Sequence, residues 1–171
     1  MKYVAMLLLW FTFSSALPAE ALRVMSFNVR YPSKEDGPNV WENRRDILVR
    51  TILEKDPDIV GAQELFFLQA QHIVENAPAY DWFGISRRGN REDEHMGVFY
   101  KKDKLRVIDS GNFWLSETPS TPGSMSWNVS LPRMVTGGCS SGLAAASASI
   151  STTRISRTAP RMAQPGWNAP R

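Results

Sequence analysis

The chain has 171 residues, a formal net charge of +3 and one cysteine, Cys139. Its length fits a single domain, and a single cysteine excludes an internal disulfide. Residues 137–171 hold four arginines and no acidic residue, which leaves a net charge of −1 on residues 1–136. The basic stripe of a sequence-independent DNA-binding protein is therefore absent from the main part of the sequence.

Residues 1–21 have the order of a secretory signal peptide. Lys2 precedes an apolar run over residues 3–13, and small residues follow, so that cleavage after Ala16, Ala19 or Ala21 is predicted. The run is shorter than the roughly 20 residues of a membrane span. We expect an exported protein, periplasmic or secreted, with no membrane anchor after cleavage. A buried core helix is the alternative interpretation of the same run.

The first elements of the mature chain form a strand–helix–strand pattern. A β-prone segment over residues 22–31 is followed by helical apolar spacing over residues 40–55, with Asn39 as a candidate N-cap and Pro57 as a stop. A short apolar run over residues 59–62 predicts a buried strand. Such a unit joins two parallel strands through a right-handed crossover.

Two polar residues mark the carboxyl ends of these predicted parallel strands. Asn28 ends the first strand and Glu64 follows the second, at the edge where open α/β sheets hold ligands. A carboxylate and an amide oxygen, few in number, suit Mg²⁺, which can polarise a phosphoryl oxygen. The alternatives are an asparagine that forms the strand-end turn and a glutamate that favours a helix start.

The remaining pattern predicts a mixed sheet flanked by helices. A second amphipathic helix is predicted over residues 65–77, with His72 in a structural role, and strands over residues 80–86, 96–102 and 104–117. The fold class is therefore α/β.

Several words in order resemble the endonuclease/exonuclease/phosphatase superfamily, which includes DNase I-like nucleases. "VMSFNVR" and "DIVGAQE" resemble its opening, and "DGPNVWENRRDIL", "VFYKKDKLRVIDSGNFWLSETP", "PGSMSW" and "LPRMVT" resemble its bacterial exported branch. The resemblance covers residues 22–136. It implies the N-terminal half of a DNase I-like α/β sandwich and a phosphoester hydrolase that uses Mg²⁺, with Mn²⁺ as the alternative ion.

The resemblance also implies site residues. Asn28 and Glu64 match the family's metal-binding residues, and His95 lies near the family's active-site loops, where it is a candidate substrate contact. The catalytic residues of the family's C-terminal half have no counterpart, because residues 137–171 contain no aspartate, glutamate or histidine. No intact catalytic set is predicted. Four further residues match the segments that resemble the bacterial exported branch, and no role is derived for them: Arg30, Asp36, Trp41 and Arg44. For Trp41 and Arg44, helix packing is the favoured interpretation.

The small-residue tail, residues 137–171, is predicted to be disordered and translated out of frame. Read with one base offset, residues 152–159 permit Asn-Thr-His, then Ile or Leu, then Pro-His-Arg, which resembles the family's later motif. The alternative is a genuine Ser/Ala-rich tail, also disordered because it has no periodic apolar pattern. Residues 22–136 then form a partial domain with an exposed sheet edge.

Three functional hypotheses follow for the whole chain. The first is a metal-dependent phosphoester hydrolase that is inactive in this form. The second is a non-catalytic fragment that binds phosphate-bearing ligands, and the third is a degenerate product without a stable fold. Nucleic acid, inositol phosphate and phospholipid headgroup all stay open as substrates, and no protein partner is indicated.

Overall fold

The computed structural model describes residues 21–142 and 147–153, with side chains for residues 21–141. The predicted signal peptide, apart from Ala21, and the end of the tail lie outside these residues. The described elements are β1 (Val24–Asn28), a 3-10 turn (Gly37–Asn39), α1 (Trp41–Lys55), β2 (Ile59–Leu65), α2 (Phe67–Asn76), β3 (Tyr80–Phe83), β4 (His95–Lys101), β5 (Leu105–Trp114), β6 (Met134–Gly142) and β7 (Ser147–Thr153).

The predicted strand–helix–strand unit is confirmed. β1 and β2 pair in parallel, with Val24 beside Ile59 and Asn28 beside Gln63, and α1 connects them. The helix start differs from the prediction because the residue in the cap position is Val40, which has no side-chain cap bond, while Asn39 belongs to the preceding 3-10 turn.

The first sheet has the order β1-β2-β4-β3, with β4 antiparallel to both of its neighbours. Both helices cover one face of this sheet. Alternate residues of the central strands pack there against apolar residues of the helices, in a core that includes Val60, Ala62, Phe99, Leu48, Ile52, Ala70 and Ile73. Periodicity of 3.6 in the helices and of two in the strands gives this division.

A second, antiparallel sheet, β5-β6-β7, covers the opposite face. Ile59 and Val98 of the first sheet pack there with Leu105 of β5. The strand β2 is therefore buried on both faces, which explains its nearly continuous apolar run. The α/β class is confirmed, with the helices on one face and the second sheet on the other.

The tail differs in part from the predicted disorder. Residues 137–142 continue β6, and residues 147–153 form β7 beside it. Backbone pairing does not need large side chains, and small residues let β6 approach the first sheet closely. At Gly138 an added Cβ would lie 2.7 Å from the Phe83 ring. The predicted domain boundary at residue 136 stays a prediction.

A buried ion-pair cluster closes the end of the first sheet where β2 begins. The Asp58 carboxylate, 1% exposed, accepts a hydrogen bond from the Arg23 backbone N–H at 2.8 Å and lies 3.1 Å from Lys104 Nζ and 3.3 Å from Lys101 Nζ.

No helix within the described ranges is long and apolar enough to cross a membrane.

Candidate functional site

The structure brings Asn28 and Glu64 into contact at the carboxyl ends of β1 and β2. Asn28 Nδ2 donates a hydrogen bond to Glu64 Oε1 at 3.0 Å, and Glu64 Oε2 accepts one from the Tyr31 backbone N–H at 3.3 Å. Asn28 is exposed, whereas Glu64 is 8% exposed. The pair therefore opens to solvent on the asparagine side.

An irregular backbone aims these side chains. The β2–β4 register shifts between Ala62 and Leu65, and Glu64 lies within that shift with φ +55°. A β-bulge of this kind redirects a side chain. Arg30, two residues after Asn28, has φ +55° as well. A left-handed conformation in a residue other than glycine costs free energy and is frequent at functional sites.

Arg30 adds a positive charge next to Glu64. Its guanidinium binds Asp36 through Nε at 3.1 Å and Nη2 at 2.7 Å, lies 3.8 Å from Glu64 Oε2, and covers the Tyr31 ring at 4.1 Å. The hydrogen bond from Arg30 holds the pKa of the Asp36 carboxyl below its ordinary value. Arg30 is thus shared between the carboxylates of Asp36 and Glu64.

Arg44 of α1 fixes the loop that follows β1. It donates to the carbonyl oxygens of Val29 at 2.6 Å, Arg30 at 2.5 Å, Tyr31 at 3.3 Å and Asn39 at 3.0 Å. Besides the helix packing predicted for it, the Arg44 side chain therefore holds the backbone of the loop that follows Asn28.

Gln69 of α2, which is fully buried, makes the matching connection after β2. Its Nε2 donates to the Arg30 carbonyl oxygen, and its Oε1 accepts from the Phe66 backbone N–H, each at 2.9 Å. This residue was not among the predicted site residues. A signal was present, since glutamine at a position of the apolar helix face must find buried partners.

The donor set fits a hard divalent cation. One carboxylate and one amide oxygen leave most coordination positions to water or substrate, which is how Mg²⁺ is commonly held. Within residues 21–142 and 147–153, no group of three or more His, Cys, Asp or Glu residues could hold an ion. A site that needs a full set of protein ligands, such as structural zinc, does not fit this end of the sheet.

His95, the candidate substrate contact, lies at the start of β4 with 1% of its surface exposed. Its Nδ1 is 2.8 Å from the Asp93 carbonyl oxygen, and its ring packs against Trp82 and Phe67. Burial lowers the pKa of this histidine. The His95 ring is part of the packed interior, and its predicted contact with substrate stays a prediction.

His72 of α2 packs against Trp41 of α1. The His72 ring meets the buried Trp41 ring edge-on at a centroid distance of 5.5 Å, and Arg44 lies 5.4 Å from the Trp41 ring centre. His72 Nε2 is 3.6 Å from Asp46 Oδ1. These contacts join α1 to α2 and support the structural role expected of His72.

Comparisons with known proteins find the same fold in solved structures. An endonuclease/exonuclease/phosphatase family protein from Bacteroides thetaiotaomicron is 35% identical in sequence, with a TM-score of 0.69, over 72% of this chain and 46% of that structure. A mannosyl-6-phosphatase from the same species is 35% identical, with a TM-score of 0.68, over 71% of this chain and 46% of that structure.

More distant similarities extend over the same fold. The human Nocturnin catalytic domain has 19% identity and a TM-score of 0.61 over 80% of this chain and 51% of that structure, which concerns the fold alone. Among curated proteins, uncharacterized protein L388 of Acanthamoeba polyphaga mimivirus is 33% identical over 92 residues, 51% of this chain and 34% of that protein. No family model matches the sequence. The chain therefore spans only about a third to a half of the length of these relatives.

Proposed function

Because the chain belongs to the endonuclease/exonuclease/phosphatase superfamily, we propose that residues 22–136 carry the metal-binding part of a phosphoester hydrolase, with Asn28 and Glu64 as the Mg²⁺ ligands. The contact of these two side chains at the ends of two parallel strands carries the proposal. The left-handed backbone at Glu64 supports it, because such conformations in residues other than glycine are frequent at functional sites.

Each residue of the site has a defined task in this proposal. Glu64 supplies a negatively charged ligand oxygen and Asn28 a neutral one. Arg30, which is itself held by Asp36, orients the Glu64 carboxylate. The bound ion, Mg²⁺ or Mn²⁺, would polarise a phosphoryl oxygen and stabilise the leaving group. The phosphoester itself would bind on the open, asparagine side of the pair.

We further propose that this chain hydrolyses phosphoesters slowly or not at all. Residues 137–171 contain no aspartate, glutamate or histidine, and loss of general acid–base groups lowers rates by about 10² to 10⁴. The neighbouring mannosyl-6-phosphatase supports a sugar phosphate as one substrate class, beside nucleic acid, inositol phosphate and phospholipid headgroups. A fragment that binds such ligands without turnover is the second candidate function, favoured by the absence of aspartate, glutamate and histidine from residues 137–171.

Calorimetric titration of the full chain with MgCl₂ tests the metal site. We expect Glu64→Gln to weaken Mg²⁺ binding by at least about tenfold, because one of two protein ligands loses its charge. Glu75→Gln, at an exposed position of α2, is the control and should bind as the wild type does. Equal Mg²⁺ affinity in wild type and Glu64→Gln would overturn the proposal, and EDTA-sensitive hydrolysis of bis-p-nitrophenyl phosphate would overturn the proposed inactivity.

Export and the altered reading frame remain part of the proposal. Removal of residues 1–16, 1–19 or 1–21 from the exported protein, read by N-terminal sequencing, tests the signal peptide. Resequencing of the gene from codon 130 onward tests the frame, and a corrected base count that restores Asn-Thr-His would support the frameshift. An unchanged frame without such residues would contradict it.

A further inference from the structure

The loop over residues 84–94, between β3 and β4, lies at the same end of the sheet as the proposed metal site. β4 runs antiparallel to β2, so that His95, directly after the loop, pairs with Leu65, directly after Glu64. The loop is therefore held against the segment that carries one of the two proposed ligands.

Two of the three arginines of this loop are used to build it. Arg87 forms ion pairs with Asp93 at 2.9 Å and Glu94 at 3.0 Å, and all three side chains are largely buried. Arg88 binds the second oxygen of Asp93 at 2.8 Å. The indole N–H of Trp114 donates to the Arg87 carbonyl oxygen at 2.6 Å and anchors the loop to β5.

The third arginine, Arg91, is placed differently. Its side chain is exposed and its guanidinium lies 4.9 Å from the centre of the Phe67 ring. No ion pair joins it to a carboxylate within the described part of the chain. Phe67 follows Glu64 by three residues, so that this cation contacts the segment that carries one of the proposed ligands. Asp93 and Glu94 of the loop are paired with Arg87 and Arg88, whereas Glu92, next to Arg91, is exposed.

We propose that Arg91 binds a second anionic group of a phosphate-bearing ligand whose first phosphate lies at Asn28 and Glu64. The inference rests on the proposed function and names a feature of the ligand, a negative charge beyond the phosphate at the metal. Stacking on Phe67 reduces the freedom of the guanidinium before binding, and its planar fork suits phosphate or carboxylate oxygens.

The test compares fructose 1,6-bisphosphate with fructose 6-phosphate in calorimetric titrations of the full chain in MgCl₂. Wild type should bind the bisphosphate more tightly, and Arg91→Met should remove about tenfold of that preference, the size of one charge-assisted contact. Arg106→Met is the matched control, because Arg106 is exposed, makes no ion pair with a described residue and lies near the start of β5, at the opposite end of the sandwich.

The outcomes separate this inference from the proposed function. Unchanged Mg²⁺ affinity in Arg91→Met, together with a lost bisphosphate preference and an unaffected control, would support it. Mg²⁺ binding with no bisphosphate preference in wild type, or with equal loss in both variants, would overturn the inference and leave the metal site intact. Failure of wild type to bind Mg²⁺ would overturn both.

Discussion

At the residue scale, Arg44 determines how firmly the loop after β1 is held. The four carbonyl oxygens that it contacts all belong to residues between β1 and α1. We expect Arg44→Met to lower the free energy of unfolding by about 2 kcal/mol, the scale of hydrogen bonds from a charged donor. Mg²⁺ affinity should fall about tenfold, because Asn28 and Arg30 lose their fixed backbone.

Urea denaturation and MgCl₂ titration of the same preparation measure both effects. Arg45→Met is the control, because Arg45 is 48% exposed and its ion pair is with Asp46, which is 85% exposed. If Arg44→Met lost stability but bound Mg²⁺ as tightly as Arg45→Met does, the residue would be a structural support without influence on the site.

Asp58 makes stability depend on pH. Burial alone would raise the pKa of its carboxyl, but the Arg23 backbone N–H and the ammonium groups of Lys104 and Lys101 outweigh burial and hold that pKa below its ordinary value. A carboxyl with a lowered pKa in the folded state contributes stability above its unfolded pKa of about 3.9, and this contribution is lost as pH falls through the folded value.

We expect Asp58→Asn to lower the free energy of unfolding at pH 7 by about 2 kcal/mol, since two ammonium groups lose the negative charge that they share. The difference from wild type should shrink as the pH of the melts is lowered below 4. Asp103→Asn, at an exposed turn between Lys101 and Lys104, should behave as the wild type. A difference that stays constant from pH 7 to pH 3 would contradict the ion-pair explanation.

The two proposed ligands were predictable because strand ends are visible in sequence. Asn28 lies in a β-prone segment and Glu64 follows a short apolar run, and parallel pairing brings them to one edge. Gln69 and Arg91 were not predictable in the same way. The helix pattern indicates that Gln69 is buried, but the partners of both side chains, Arg30 and Phe67, are brought to them by the fold and by no local pattern.

At the element scale, β6 lies close to the first sheet because Gly138 has no side chain. We expect Gly138→Val to lower the free energy of unfolding by about 1 to 3 kcal/mol, since its Cβ would meet the Phe83 ring at 2.7 Å. Gly111→Val in the neighbouring β5 is the matched control, because an added Cβ at Gly111 has no atom within 4 Å.

Urea denaturation of both variants measures the difference. Equal midpoints would show that β6 does not pack against Phe83, and would then favour the disorder predicted for residues 137–142. The sequence pattern could not anticipate this strand, because its small residues lack the alternation by which half-buried strands are recognised. The strand is held instead by backbone pairing with β5, from Trp114 beside Met134 to Leu105 beside Gly142.

At the scale of the whole molecule, the α/β class and the parallel β1–β2 pair follow from the order of the elements. The order of the elements does not predict which layer covers the second face of the mixed sheet. An apolar face requires a partner, but that partner can be a helix or a sheet. Ile59 and Val98 could pack against a helix or a sheet, and here the antiparallel pair of β5 and β6 covers them.

The central position of β2 has a consequence for hydrogen exchange. Its first residues, Ile59 to Ala62, are paired with β1 on one side and β4 on the other, and both faces are covered by packed layers. No local opening can bring these amide hydrogens to water without separating the layers. Their exchange rates therefore report the global free energy of unfolding of the domain.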